Sequence, residues 1–336
     1  MKKKILVSAA WPYANAEIHV GNLTGSYLPA DIFARYHRLQ GNDVLMVSGS
    51  DAHGTPITIR ADQEGTTPYE AYQRFHKGFI DLFQKLGLHY NIFTSTHTEN
   101  HFAVAQKMFL ALKDNGYLYT DRQMQWFSTS QNRFLPDRYV EGTCYICGDT
   151  NARSDQCDKC GSMLEPDKLI APRSRVDGST PELRETEHYY LDLGKLQPAV
   201  VEFLKQRQDY WRPNVLRQSL GQIEADALRG RAITRDLDWG IPVPLDGWNG
   251  KCLYVWFEAV IGYLSASVEW TGIVDNGKTW QDWWFSPDAE TYYFIGKDNI
   301  PFHAVIWPAE LTGAGIRFAE LMGTQPKPLT LPYDVP

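Results

Sequence analysis

Apolar and polar positions change their period repeatedly over residues 1–116. Residues 4–10, Lys4-Ile5-Leu6-Val7-Ser8-Ala9-Ala10, form the short, nearly continuous apolar run that a parallel sheet buries on both faces, and they predict a strand. Over 22–39 the residues Leu23, Tyr27, Ala30, Ile32, Phe33, Ala34 and Tyr36 leave Asp31, Arg35 and Arg38 on a polar face, which predicts a helix. Gly41-Asn42 turns the chain into a second expected strand, 43–48, and helical patterns follow near 67–86 and 99–115. This alternation is that of an α/β fold, the first half of a Rossmann-type doubly wound parallel sheet.

From about 117 the texture changes to aromatic-polar alternations such as Gln125-Trp126-Phe127, then to a stretch rich in Cys, Asp, Gly and Asn. It reads as a small connective domain inserted over 117–235, with a helical tail near 196–208 and an apolar-poor stretch from Arg217 to Asp236. At Trp239-Gly240-Ile241-Pro242-Val243-Pro244 the chain rejoins the first domain for a second half over 236–336. There 253–257 and 292–295 are expected as buried strands and 300–312 as a helix.

Composition narrows the picture. With 336 residues, 43% of them hydrophobic, the chain can bury a sizeable core. No apolar run reaches the roughly 18 residues that suggest a membrane span. Lys2-Lys3-Lys4 is followed only by a strand-length apolar run without a cleavage site. A cytoplasmic protein with no membrane partner is expected. Lys and Arg number 33 against 40 Asp and Glu, a net charge of −7, which argues against a surface built to grip nucleic acid without sequence preference. A local basic groove remains compatible with it.

Two patterns carry chemistry. Cys144-Tyr145-Ile146-Cys147 and Cys157-Asp158-Lys159-Cys160 are two CxxC loops with nine residues between them. Each loop presents two thiolates to one side, and two loops close a tetrahedral zinc shell with sulfur at about 2.3 Å. Four protein ligands leave no open position, so such a zinc is structural. Disulfides fit neither the clustering nor a cytoplasmic chain, and Cys252 reads as a core thiol. The second pattern is WPYANAEIHVGN, residues 11–22, where a strand breaks into Pro, Asn and Gly before a helix. Phosphate binds at such helix N-termini, His19 is a donor there, and Gly21 lets a nucleotide approach the backbone. Polar residues also gather in Gly49-Ser50-Asp51-Ala52-His53-Gly54, where the second strand ends.

At these residues the chain resembles the class I aminoacyl-tRNA synthetases, and within them the methionine-specific family. The resemblance rests on Ala10-Trp11-Pro12-Tyr13-Ala14-Asn15 leading into His19-Val20-Gly21-Asn22, a HIGH-type signature, and on Ser50-Asp51-Ala52-His53-Gly54-Thr55-Pro56. Phe134-Leu135-Pro136-Asp137-Arg138, Thr234-Arg235-Asp236, the run from Tyr254 to Tyr263, and Phe294-Ile295-Gly296-Lys297-Asp298 with His303 and Trp307 extend it over nearly the whole chain. It implies ATP-dependent activation of L-methionine to methionyl-adenylate and transfer to the 3′ end of tRNA(Met), with Mg2+ accompanying ATP. By resemblance, His19 and Asn22 are catalytic. ATP would lie against His19, Gly21, Asn22, Gly296, Lys297 and Asp298. Asp51 would pair with the methionine ammonium group, with Ala10 and the Trp11 backbone beside it. Tyr13, Trp256, Ala259, Val260, Tyr263, Ile300, His303 and Trp307 would surround the thioether, which packs well on aromatic edges.

Two departures from the family pattern stand out. Asn22 replaces the signature's second histidine and can donate but carries no charge. The lysine-rich KMSKS loop and the anticodon-binding domain are absent, so a chain truncated before them is expected, carrying most of a catalytic core. Synthetases for Leu, Ile and Val usually hold a larger editing insertion than 117–235. A non-catalytic paralogue that binds tRNA or a protein partner, and a plain nucleotidyltransferase, are the other readings. Arg235 is either a site organiser or half of an ordinary salt bridge with Asp236.

Overall fold

The computed structural model describes residues 2–136, 139–154, 157, 159–161, 164, 166–225 and 227–336. Four strands form a parallel sheet in the order Ala289–Phe294, Lys4–Ala9, Asp43–Ser50 and Ile92–Ser95, with Lys4 aligned to both Asp43 and Ala289. Strand alternation sends Leu6, Leu45, Val47 and Tyr293 into one core, shared with residues of the helices Glu99–Asp114, Val255–Ile273 and Trp307–Leu321. Ile5, Val7, Met46 and Phe294 enter a second core with Tyr27, Ala30, Phe75 and Phe79. Helices therefore cover both faces, and the sheet is doubly wound. The helix Pro68–Lys85 is opened by a reciprocal cap between Thr67 and Glu70, and Glu99–Asp114 by Thr98.

A second, antiparallel sheet has the order Arg231–Ala232, Glu182–Leu191, Leu118–Ser128 and Arg133–Phe134, its central pair running from Leu118 opposite Leu191 to Phe127 opposite Glu182. A third holds Ala152–Arg153, Val140–Thr143 and Ile170–Ser174 around a small core containing Leu135, Val140, Cys144, Cys157 and Leu169. The tail expected at 196–208 is the helix Leu193–Lys205, and the apolar-poor stretch from Arg217 begins inside the helix Pro213–Ala225. Both helices bury apolar residues, Leu196, Val200, Val215 and Ile223, in the first core.

The strand expected at 253–257 is a correction. Only Cys252–Leu253 pairs as a strand, with Thr234–Arg235; Tyr254 is the extended cap, and from Val255 the chain is helical to Ile273. This helix is buried nearly all round, so its apolar residues form no stripe and its start imitates a buried strand. The helices at 22–39 and 300–312 are longer than expected: the first begins at Val20, and the second starts at Ile300 as expected and continues to Leu321. Each contains a π-helical turn, Leu23–Tyr27 and Phe302–Ile306. The helix Thr55–Glu64 and the strand Ile92–Ser95 were not foreseen. Among the described residues no helix is long and apolar enough to cross a membrane.

Glu310 sits inside the helix Trp307–Leu321, fully buried, and among the described residues neither carboxylate oxygen has a hydrogen-bond partner. Burial pushes its carboxyl well above the ordinary glutamate range. The folded state thus holds this proton more tightly than the unfolded chain, where the value is about 4.3. Its contribution is most favourable below that pH and is lost as pH rises through the raised folded value. Glu310→Met is expected to stabilise the protein at neutral pH by about 1–3 kcal/mol, the cost of a buried polar group left unpaired. The gain should shrink as pH falls, which thermal melts of both proteins across the acid range will check.

Candidate active site

Because Lys4–Ala9 and Asp43–Ser50 are parallel neighbours, the loops that leave them start side by side. Asp51 N–H donates to Pro12 O and Ala14 N–H to Asp51 O, both at 2.9 Å, while Ala10 N–H donates to Phe294 O at 2.9 Å. Three strand ends are thereby stitched together at the sheet's carboxyl edge, where open α/β sheets bind ligands. The Trp11 indole turns inward over Gly49 and Gly262. A Cβ at either position would lie 2.6 and 2.8 Å from that ring, so neither can carry a side chain without moving it. Trp11 meets Tyr263 edge-on, with centroids 6.3 Å apart at 84°.

These loops and two later helices enclose a cavity of about 360 Å³. From the first half of the chain Ala10, Trp11, Tyr13, Gly21, Asn22 and Asp51 line it. Trp256, Ala259, Val260, Tyr263, Gly296, Asp298 and His303 line it from the second half. Four residues expected in the site are not in this lining. His19 and Lys297 are exposed beside it, whereas Ile300 and Trp307 are buried, Trp307 donating from Nε1 to Tyr293 Oη at 3.0 Å. Pro12, Ser26, Tyr27, Val255, Asn299 and Phe302 line the cavity without having been foreseen. Phe302 holds the Trp256 ring at 4.1 Å between centroids.

Asp51 brings a buried carboxyl to the cavity lining. Burial pushes its carboxyl well above the usual range, the charge of Glu258 pushes it further, and a 3.3 Å hydrogen bond from His53 N–H opposes both. Its full charge is best stabilised by a cation entering the cavity. Also lining the cavity, Tyr263 Oη lies 2.8 Å from His303 Nε2, and His303 Nδ1 lies 3.0 Å from Asn299 O. A carbonyl only accepts, so Nδ1 carries the proton and Nε2 accepts from the phenol. Burial lowers His303 to about 4, which keeps the imidazole neutral and this direction fixed. Both donors of the pair are committed, and the phenol oxygen keeps a lone pair.

At the helix start His19 Nδ1 accepts from Asn22 N–H, and Asn22 Oδ1 accepts from His19 N–H, both at 3.3 Å. This reciprocal cap leaves Nε2 of the exposed imidazole as the outward donor. A side chain at Gly21 would meet the His19 ring at 2.9 Å. Arg235 does not pair with Asp236: its guanidinium donates to Ala232 O and Thr234 O and lies 3.9 Å over the Tyr254 ring, while Asp236 binds Lys251 and Thr186.

The four thiols Cys144, Cys147, Cys157 and Cys160 come together, with all Sγ atoms within 4.8 Å of one another. Cys144 and Cys160 are 4.0 Å apart and Cys147 and Cys157 3.6 Å, too far for disulfides and near the roughly 3.8 Å edge of a tetrahedral four-thiolate shell. Ile146 and Cys147 N–H groups both donate to Cys144 Sγ at 3.4 Å, as suits a thiolate. The cluster can hold a metal ion. Asp137, Arg138 and Asp158, which belong to the expected motifs, lie outside the described residues.

Comparison with known proteins fits this geometry. The family model for tRNA synthetases class I (M) matches residues 5–325. Methionine–tRNA ligase of Thermomicrobium roseum is 53% identical over 336 residues, and that of a Roseiflexus species 53% identical over 344. Each alignment takes in 100% of this chain, but the chain spans only 55% and 56% of the two relatives. The solved Mycobacterium tuberculosis methionyl-tRNA synthetase in complex with methionyl-adenylate superposes with a TM-score of 0.70 at 23% identity, over 100% of this chain and 56% of that one. At that identity the likeness speaks for the fold.

Proposed function

The chain belongs to the class I tRNA synthetases of the M group, and from that premise we propose that it carries the amino-acid and nucleotide sites of a methionine-activating enzyme. The observation that supports this most is a cavity lined by a buried carboxyl, Asp51, together with aromatic rings and the neutral Tyr263–His303 pair. Asp51 takes the α-ammonium group. Trp11, Tyr13, Trp256, Ala259, Val260 and Tyr263 enclose the thioether, with His303 fixing the phenol, and Ile300 and Trp307 act from behind the wall. ATP, with its Mg2+, lies along Gly21, Asn22, Gly296 and Asp298, with His19 and Lys297 at the phosphates.

In this reading the methionine carboxylate attacks the α-phosphorus in line and pyrophosphate departs. The chain contributes positioning and donors aimed at the developing charge. The terminal ribose hydroxyl of tRNA(Met) then attacks the acyl carbon of the adenylate, gives up its proton, and AMP leaves. The acceptor end approaches through a neighbouring cavity of about 730 Å³ that shares Tyr13, Val255 and Trp256 with the first and adds Arg235. Residues 1–116 and 236–336 form the catalytic domain and 117–235 the connective domain. The four cysteines hold a structural zinc.

Calorimetry tests the reading: methionine should bind, with little response to leucine or valine. Asp51→Asn should weaken methionine by about 1.5–3 kcal/mol, the range for a hydrogen bond involving a charged group. Binding by the wild-type chain should also fade on acidification, as Asp51 takes up a proton at its raised pKa. Equal affinity for leucine would refute the pocket assignment. Binding of tRNA with no amino-acid response would favour a non-catalytic paralogue.

A further inference from the structure

Glu258, in the first turn of the helix Val255–Ile273, is fully buried and lies outside the cavity lining. One carboxylate oxygen is 2.8 Å from His53 Nδ1 and the other 2.8 Å from His101 Nε2, both rings being buried. His53 belongs to the turn that carries Asp51 and donates its backbone N–H to that carboxylate. His101 packs its ring against Trp11, with centroids 6.3 Å apart, and sets Nδ1 2.7 Å from Ser265 Oγ. Asp51 and Trp11 come from the ends of different strands, yet a single side chain holds the histidine beside each. Burying a carboxylate is costly unless both oxygens are paired, as they are here.

We propose that Glu258 is a positioning residue that holds the Asp51 turn and the Trp11 wall in register through His53 and His101. The consequence for binding rests on the reading that an amino acid pairs with Asp51. The charge of Glu258 has a second effect, since it opposes ionisation of Asp51. The ionisable groups that face this pair are His53 and His101, His97 with Nδ1 3.0 Å from His53 Nε2, Tyr263 beside Asp51, and Cys252.

Two variants separate the tie from the charge. Glu258→Gln keeps the length and removes the charge; Glu258→Asp keeps the charge and cannot reach both rings. Amide hydrogen exchange over 10–14 and 50–54 reads the tie without any ligand, and methionine calorimetry across pH reads its consequence. Both variants should exchange at least about tenfold faster in both segments and bind methionine about tenfold more weakly, a loss of one or two hydrogen bonds to charge. In Glu258→Gln alone the acid side of the binding profile should move to lower pH, because Asp51 ionises more readily. A merely structural role would weaken binding without separating the two variants. Unchanged exchange, exchange raised in only one segment, or identical pH profiles would overturn the proposal. If the wild-type chain binds no methionine, the functional reading fails and the exchange data still decide the tie. Should Glu258→Gln not fold, Ser265→Ala, which removes the outer partner of His101 and a bond to Gly262 O within the same helix, should speed exchange over 10–14 and leave 50–54 unchanged. Equal protection in both segments there would also overturn it.

Discussion

Cys157→Ser is expected to abolish stoichiometric metal binding and to loosen the three-stranded sheet around the cysteines while the parallel sheet stays folded. Cys144 and Cys157 are themselves buried members of the small core formed with Leu135, Val140 and Leu169. A module of this size gains little stability from burial alone. A closed four-thiolate zinc site can contribute on the order of 10 kcal/mol to folding in small modules, which is the stabilisation removed. A strong chelator should act in the same way, and proteolysis between residues 140 and 165 should then precede cleavage elsewhere. Metal analysis of the purified chain should find one zinc. Cys252→Ser is the control, because that thiol lies outside the cluster and donates to Leu237 O. Unchanged metal content in Cys157→Ser, or proteolysis indifferent to chelation, would remove the cysteines from this role.

The parts of the molecule that were legible in the sequence are those set by local chemistry. Lys4–Ala9 and Asp43–Ser50 announce themselves as apolar runs ended by Gly, Pro and Asn, and the CxxC loops by spacing alone. Val255–Ile273 was missed because a helix buried nearly all round has no apolar stripe. A weaker signal was present nonetheless: Trp256, Ala259, Val260 and Tyr263 follow the i, i+3, i+4, i+7 spacing of one helical face, and all four line the cavity. Helical spacing gives no such guide at Trp307. Four residues after His303, it belongs to the same face of a regular α-helix, but the π-helical turn Phe302–Ile306 inserts a residue into the register and rotates the helix beyond it. His303 lines the cavity and Trp307 does not. Glu258 lay beyond reach for another reason, since its partners are 205 and 157 residues away and only the fold brings them together.

His19→Ala, in a chain of its relatives' full length, should lower methionine-dependent pyrophosphate exchange by about 10²–10³, the usual cost of losing a preorganised donor to transition-state charge. Methionine affinity should stay nearly constant, because His19 lies outside the cavity lining that holds Asp51 and Tyr263. The substitution also removes a helix cap, which by itself costs about 0.5–2 kcal/mol of local stability. His19→Asn separates the two effects. Asparagine is a good N-cap and can accept from Asn22 N–H as the imidazole does, but it cannot present Nε2 to a phosphate at the same distance. The rate should therefore remain low in His19→Asn while thermal stability recovers. Recovery of exchange with the cap would reduce His19 to a structural residue, and a fall in methionine affinity matching the fall in rate would move it into the amino-acid site. The chain spans about 55% of its relatives' length, so the pyrophosphate exchange that residues 1–336 support by themselves measures what His19, Asn22 and Lys297 supply. Full exchange by this chain alone would show that His19, Asn22 and Lys297 suffice to stabilise the leaving pyrophosphate.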